Sequence, residues 1–134
     1  MATPFQAAKF VRRVVHGETI GDLVDEAKAR TWRDEAEHLV LQLETGERLM
    51  VKGGRDGVRF TVQGEGDERT LHMRFQGRRV RVTRIYGHTH PRVTGPSDGD
   101  LEALAILKQG HSYIFEIGGD RRGTRIQPKR EPEV

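Results

Sequence analysis

Between residues 37 and 86 the chain passes through one apolar-rich segment after another, each broken off by a glycine turn, and none has helical period. EHLVLQL (37–43) and ERLMV (47–51) flank Glu44-Thr45-Gly46, a hairpin signal. VRFTVQ (58–63) alternates as a strand does, and LHMRF (71–75) and VRVTRIY (80–86) form a second hairpin around Gln76-Gly77. Strands that follow one another without crossover helices pair antiparallel, which excludes a doubly wound parallel fold.

Helical period appears only on either side of this block. Thr19 with Asp22 three residues on resembles a capping box, and Ile20, Leu23, Val24 and Ala27 recur at helical spacing, so a helix is predicted over 20–30. Beyond Pro96, Leu101, Leu104, Ala105 and Lys108 fit one stripe. Ser97 is placed as N-cap, and Asp98 and Asp100 fall in the first turn, where acids suit the helix dipole. Gln109-Gly110 ends that helix. FVRRVV (10–15) reads as a first strand, HSYIFEI (111–117) and residues 124–127 as the last two, with a turn at Gly118-Gly119-Asp120. The order predicts an α/β (α+β) fold, a mixed sheet flanked by helices, in one domain over 1–134 whose residues 128–134 form a flexible tail.

With 34% apolar and 32% charged residues in 134, the core is small and the surface highly charged. Zero cysteines exclude a disulfide scaffold, cysteine-ligated zinc, an iron–sulfur cluster and a cysteine nucleophile. No apolar run reaches bilayer length and MATPFQAAKF has no secretory h-region, so a cytoplasmic location with no membrane partner is expected. The net charge of +3 from 23 basic and 20 acidic residues is small for a dedicated nucleic-acid binder. The basic clusters at 74–84 and 121–130 read as a solvated strand face and a solvated tail.

The chemistry concentrates in residues 87–100, GHTHPRVTGPSDGD, a composition with little packing value. In an extended chain His88 and His90 point to one face, which makes a natural two-imidazole metal site. Pro91 then ends the strand, and a short loop leads to Asp100 in the first turn of a helix. A His-His-Asp set leaves a fourth tetrahedral position for water, the catalytic rather than the structural arrangement of zinc.

His88-Thr89-His90-Pro91 followed by Ser97-Asp98-Gly99-Asp100 resembles the signature of the JAMM (JAB/MPN-type) zinc metalloproteases. The resemblance implies a sandwich related to the cytidine-deaminase fold, Zn2+ held by His88, His90 and Asp100, and hydrolysis of a peptide or isopeptide bond. It implies that Ser97 donates a hydrogen bond to the oxyanion. It also requires an upstream glutamate that moves a proton from the zinc-bound water to the leaving amine. Glu37, at the start of the strand after the first helix, matches that position. Glu35 is the near alternative, with Glu44 and Glu47 further off. Five residues, 92–96, separate Pro91 from Ser97, one fewer than is usual in the family, and Thr94-Gly95-Pro96 reads as a tight turn that takes up the difference. The substrate implied is a protein or peptide: a ubiquitin-like or carrier-protein tail, or a toxin polypeptide. Short loops argue against specificity for eukaryotic ubiquitin chains. The segment 58–63, or the loop 64–67, is expected to pair with a substrate tail by β-augmentation.

Two other readings stand beside this one. The chain can be a non-catalytic module of the same fold that holds nucleic acid or an acidic partner on Arg74, Arg78, Arg79, Arg81 and Arg84. It can also carry a purely structural zinc, against which the open fourth position argues. Among the remaining residues, Gly53-Gly54-Arg55-Asp56-Gly57 reads as a tight strand connection, since it lacks the lysine and helix of a phosphate loop. Trp32 is expected as a core or lid aromatic. His16, His72 and His111 are expected at the surface, and His38, on the opposite face from Glu37, at a surface or edge. Ser112 and His111, adjacent in a strand, point apart and form no nucleophile–base pair.

Overall fold

The computed structural model describes residues 5–91, 98–117 and 123–128. Its elements follow the order β1 (Phe5–Ala7), β2 (Lys9–Arg13), α1 (Ile20–Asp34), β3 (His38–Leu43), β4 (Arg48–Lys52), β5 (Gly57–Arg59), β6 (Thr61–Gln63), β7 (Thr70–Phe75), β8 (Arg78–His90), α2 (Asp98–Leu107), β9 (Ser112–Glu116) and β10 (Thr124–Ile126). The main sheet runs β10-β9-β8-β3-β4-β2, with β7 on the early half of β8 and β6 outside β7. Its pairings are antiparallel except β8 with β9, where α2 makes the crossover. A mixed sheet with two helices is thus the α+β architecture expected. The predicted tail beyond residue 128 and the turn at 118–120 lie outside the described residues.

The sheet is sandwiched because β3 and β4 are apolar on both faces, as central strands covered twice must be. Leu39, Leu41, Leu43, Leu49 and Val51 turn to one face and join Met73, Val82, Ile85 and the Ile106 of α2 in the main core. Val40 and Met50 turn to the other, where Leu23 and Ala27 of α1 pack on them. Leu101 and Leu104 extend the α2 side over Ile114 and Ile126.

α1 begins where the sequence places it: Thr19 Oγ1 accepts the Asp22 N–H at 3.1 Å. It continues a full turn past the predicted end, to Asp34, and stops at Glu35 in the left-handed region (φ 51°). α2 ends in a Schellman pattern on Lys108 (φ 55°), with Lys108 N–H on Ala105 C=O and Gln109 N–H on Leu104 C=O.

Two expectations are corrected. The segment 58–63 is not one strand: β5 pairs in parallel with β1, β6 pairs antiparallel with β7, and the chain changes partner at Phe60, which packs against the main core. Trp32 is neither core nor lid, because it stands 74% exposed on α1.

Candidate metal centre

Three elements deliver the site. Glu37 immediately precedes β3, and its backbone is clamped against the 53–54 turn: Glu37 N–H reaches Gly54 C=O, and Gly53 N–H reaches Glu37 C=O, both at 2.8 Å. The turn approaches β5 so closely that a Cβ on Gly53 would collide with the Val58 side chain and sit 3.0 Å from its Cα. The glycines of 53–57 thus serve the tight connection the sequence suggested. β8 supplies His88 and His90 from its last residues, on the α2 face, held between β3 and β9. Asp100 comes from the first turn of α2.

Glu37, His88 and His90 are buried, Asp100 nearly so, and one ligand atom from each lies within 4.8 Å of all the others. Asp100 Oδ2 is 3.3 Å from His88 Nε2 and 3.5 Å from His90 Nε2. Glu37 Oε1 stands slightly further off, 4.0 Å from His88 Nε2 and 3.6 Å from His90 Nε2. The two imidazoles are tilted at 50° with centroids 4.7 Å apart. Tetrahedral N and O ligands about 2.0–2.2 Å from an ion are separated by about 3.3–3.5 Å, which is the spacing of Asp100 from the two histidines. His88 Nε2 is buried with no hydrogen-bond partner, as a nitrogen reserved for a cation would be.

The electrostatics agree. Burial pushes the Glu37 carboxyl up to about 8, opposed by His90 and reinforced by Asp100 and Asp56. Burial alone would lower His90, yet the Asp100 hydrogen bond and the charges of Glu37, Asp100 and Glu116 raise it. Two carboxylates and two imidazoles in a dry pocket are stable when a divalent charge balances them. The four residues can therefore hold a metal ion.

Of the predicted site residues, Glu37, His88, His90 and Asp100 converge, whereas Ser97 and the 92–96 spacer lie outside the described residues. The alternative acids stand elsewhere. Glu35 is exposed at the end of α1, Glu44 is exposed in its hairpin, and Glu47 is ion-paired with Arg13. His38 corrects its expectation: it does face away from Glu37, but it is 1% exposed rather than at a surface. Its Nδ1 lies 3.0 Å from Thr31 Oγ1 and 3.0 Å from Ala36 C=O, and Thr31 Oγ1 bonds Thr89 Oγ1 in turn. A buried polar link thus ties α1 to Thr89, the residue between His88 and His90. The doubly apolar pattern of HLVLQL signals that both faces of β3 are covered, and so that His38 is inside. Ser112 is buried and donates to Ile85 C=O at 2.9 Å.

No family model matches the chain, and comparison with curated proteins and with solved structures gives no significant match. Among the described residues no helix is long and apolar enough to cross a membrane.

Proposed function

We propose that the protein is a zinc-dependent metallopeptidase of the JAMM type, with the JAB/MPN sandwich, that hydrolyses a peptide or isopeptide bond. The observation that carries this reading is the convergence of Glu37, His88, His90 and Asp100 from three elements onto one point. His88, His90 and Asp100 hold the ion. An all-N/O donor set with no sulfur suits zinc in a catalytic site. Bound there, zinc supplies a Lewis acid for the scissile carbonyl and an acidified water.

Glu37 Oε1 is 4.0 and 3.6 Å from the two Nε2 atoms, against 3.3 and 3.5 Å for Asp100 Oδ2, and the sequence resemblance assigns Glu37 the base rather than a ligand. It takes a proton from the attacking water and delivers it to the leaving nitrogen as the C–N bond breaks, a role worth about 10²- to 10⁴-fold. Ser97 is assigned the oxyanion by the sequence resemblance alone.

The substrate is a polypeptide. A cleft of about 380 Å³ runs from Glu37, His88 and Asp100 along Val58, Phe60 and Val62. At its far end β6 is fully exposed, with β7 its partner among the described residues, so its other edge can accept an extended tail. Retention of every ligand and of the buried glutamate favours an enzyme over a non-catalytic module.

Elemental analysis is expected to find one zinc per chain, lost in His90→Ala and Asp100→Asn and kept in Glu37→Gln. Mass spectrometry of a peptide mixture is expected to show cleavage by the wild type and none by Glu37→Gln. A metal-free wild type, or a fully active Glu37→Gln, overturns the proposal.

A further inference from the structure

Among the described residues α1 is the one helix on the face of the sheet opposite the metal cluster. It packs on β3, β8 and β9, and a groove of about 910 Å³ opens beside it. One wall is α1, where Val24 and Ala27 are buried and Ile20, at the start of the helix, is 79% exposed. Val15 at the groove's mouth is 64% exposed. The floor is Gly87, Tyr113 and Phe115, where the Phe115 ring packs so closely on Gly87 that a Cβ there would meet it at 3.0 Å.

The rim is cationic. Arg48 and Arg84 stack on the Tyr86 ring, 5.4 and 5.0 Å from its centroid, with no carboxylate at ion-pair distance among the described residues. Beyond them Arg74 and Arg79 oppose each other across β7–β8, like charges that disfavour the pairing, and they too lack acidic partners there. Elsewhere Arg12, Arg13, Arg30, Arg33, Arg55 and Arg69 are all ion-paired. The acids that reach the groove, Glu18 and Glu47, are already taken by Arg12 and Arg13.

From this complementarity we propose that the groove docks an amphipathic, acidic helix of a partner protein. Its apolar side meets Val15, Ile20 and Tyr113, and its carboxylates meet Arg48 and Arg84. Nucleic acid fits less well, because two guanidiniums already stack on the Tyr86 ring and its hydroxyl is bound to Gln42. His88 lines both this groove and the cleft at Glu37 and Asp100, and peptide binding is measured without reference to hydrolysis.

The test is selection from a display library of amphipathic helical peptides with randomised flanking positions, using the purified full chain as bait. Enriched peptides are expected to carry Asp and Glu beside their apolar stripe. They should bind the wild type about tenfold or more tighter than Arg48→Glu/Arg84→Glu or Ile20→Asp. Both variants alter exposed side chains, and unchanged melting curves confirm their folding. Enrichment without acidic bias, or equal binding by both variants, overturns the proposal. So does a wild-type dimer in sedimentation that Ile20→Asp dissociates, which makes a second copy the occupant. Oligonucleotide binding with a steep salt slope, abolished in Arg48→Glu/Arg84→Glu, overturns it in favour of nucleic acid.

Discussion

Glu37 shows most directly how one residue's surroundings set its chemistry. Its carboxyl is pushed up to about 8 by burial, so the metal-free folded chain keeps a proton that the unfolded chain has lost above the ordinary carboxylate range. Stability contributed by that proton is complete below about 4.5 and disappears as pH rises to about 8. Urea unfolding of the metal-free protein should therefore show falling stability across that window, and Glu37→Gln should flatten the fall. Thr31 offers a second test at this scale. Thr31→Val keeps the shape but removes the bonds of Thr31 to His38 Nδ1 and Thr89 Oγ1, each of which keeps another partner, and is expected to cost about 0.5–1.5 kcal/mol in urea unfolding and to weaken metal binding, with Thr31→Ser close to wild type. That His88 and His90 come together was legible in the sequence, because alternation in a strand puts them on one side whatever the fold. The Thr31–His38–Thr89 link was not, because it needs to be known that α1 lies over that side of β8.

At the scale of elements, capping and turn chemistry were readable where they are local. Thr19 starts α1, and Gln76-Gly77, with positive φ at both residues, turns β7 into β8. What was not local was missed: the break at Phe60 comes from two different partner strands, neither marked in VRFTVQ itself. The entry to α1 is also fastened by charge. Arg12 binds Glu18 at 2.6 Å and Glu26 at 2.8 Å, and Glu26 also meets Arg30. Hydrogen bonds from Arg12 hold the Glu18 carboxyl down at about 2 and lower Glu26 as well. Stability from lowered carboxyls is present above their unfolded value of 4.5 and is lost as pH falls toward about 2. The melting-temperature gap between wild type and Arg12→Gln should thus be open at neutral pH and close progressively on acidification. A gap that does not change with pH would mean that the network contributes no charge-dependent stability.

On the scale of the whole molecule, the cluster joins the segment before β3, the end of β8 and the start of α2, so an ion there ties both sides of the core together. Any ligand of the folded state alone stabilises it by mass action, about 2.7 kcal/mol at a hundredfold excess over its dissociation constant. Chelation is expected to lower the melting temperature and to speed amide exchange in α2 and late β8 ahead of β3 and β4. An unchanged melting curve after chelation would mean that no ion bridges these elements. The α+β class was legible from the order of periods, since strands without crossovers leave few topologies. The exposure of Ile20 on α1 was not, because it depends on what lies beside that helix in space.

β8 pairs with β3 across a long stretch of chain, Thr89 meeting His38 from 51 positions away, and α2 must then fold back over both. Contacts so distant in sequence form slowly and late. A ribosome making this protein therefore carries a chain whose Glu37, His88, His90 and Asp100 cannot meet until α2 has left the exit tunnel, and the cluster assembles only then.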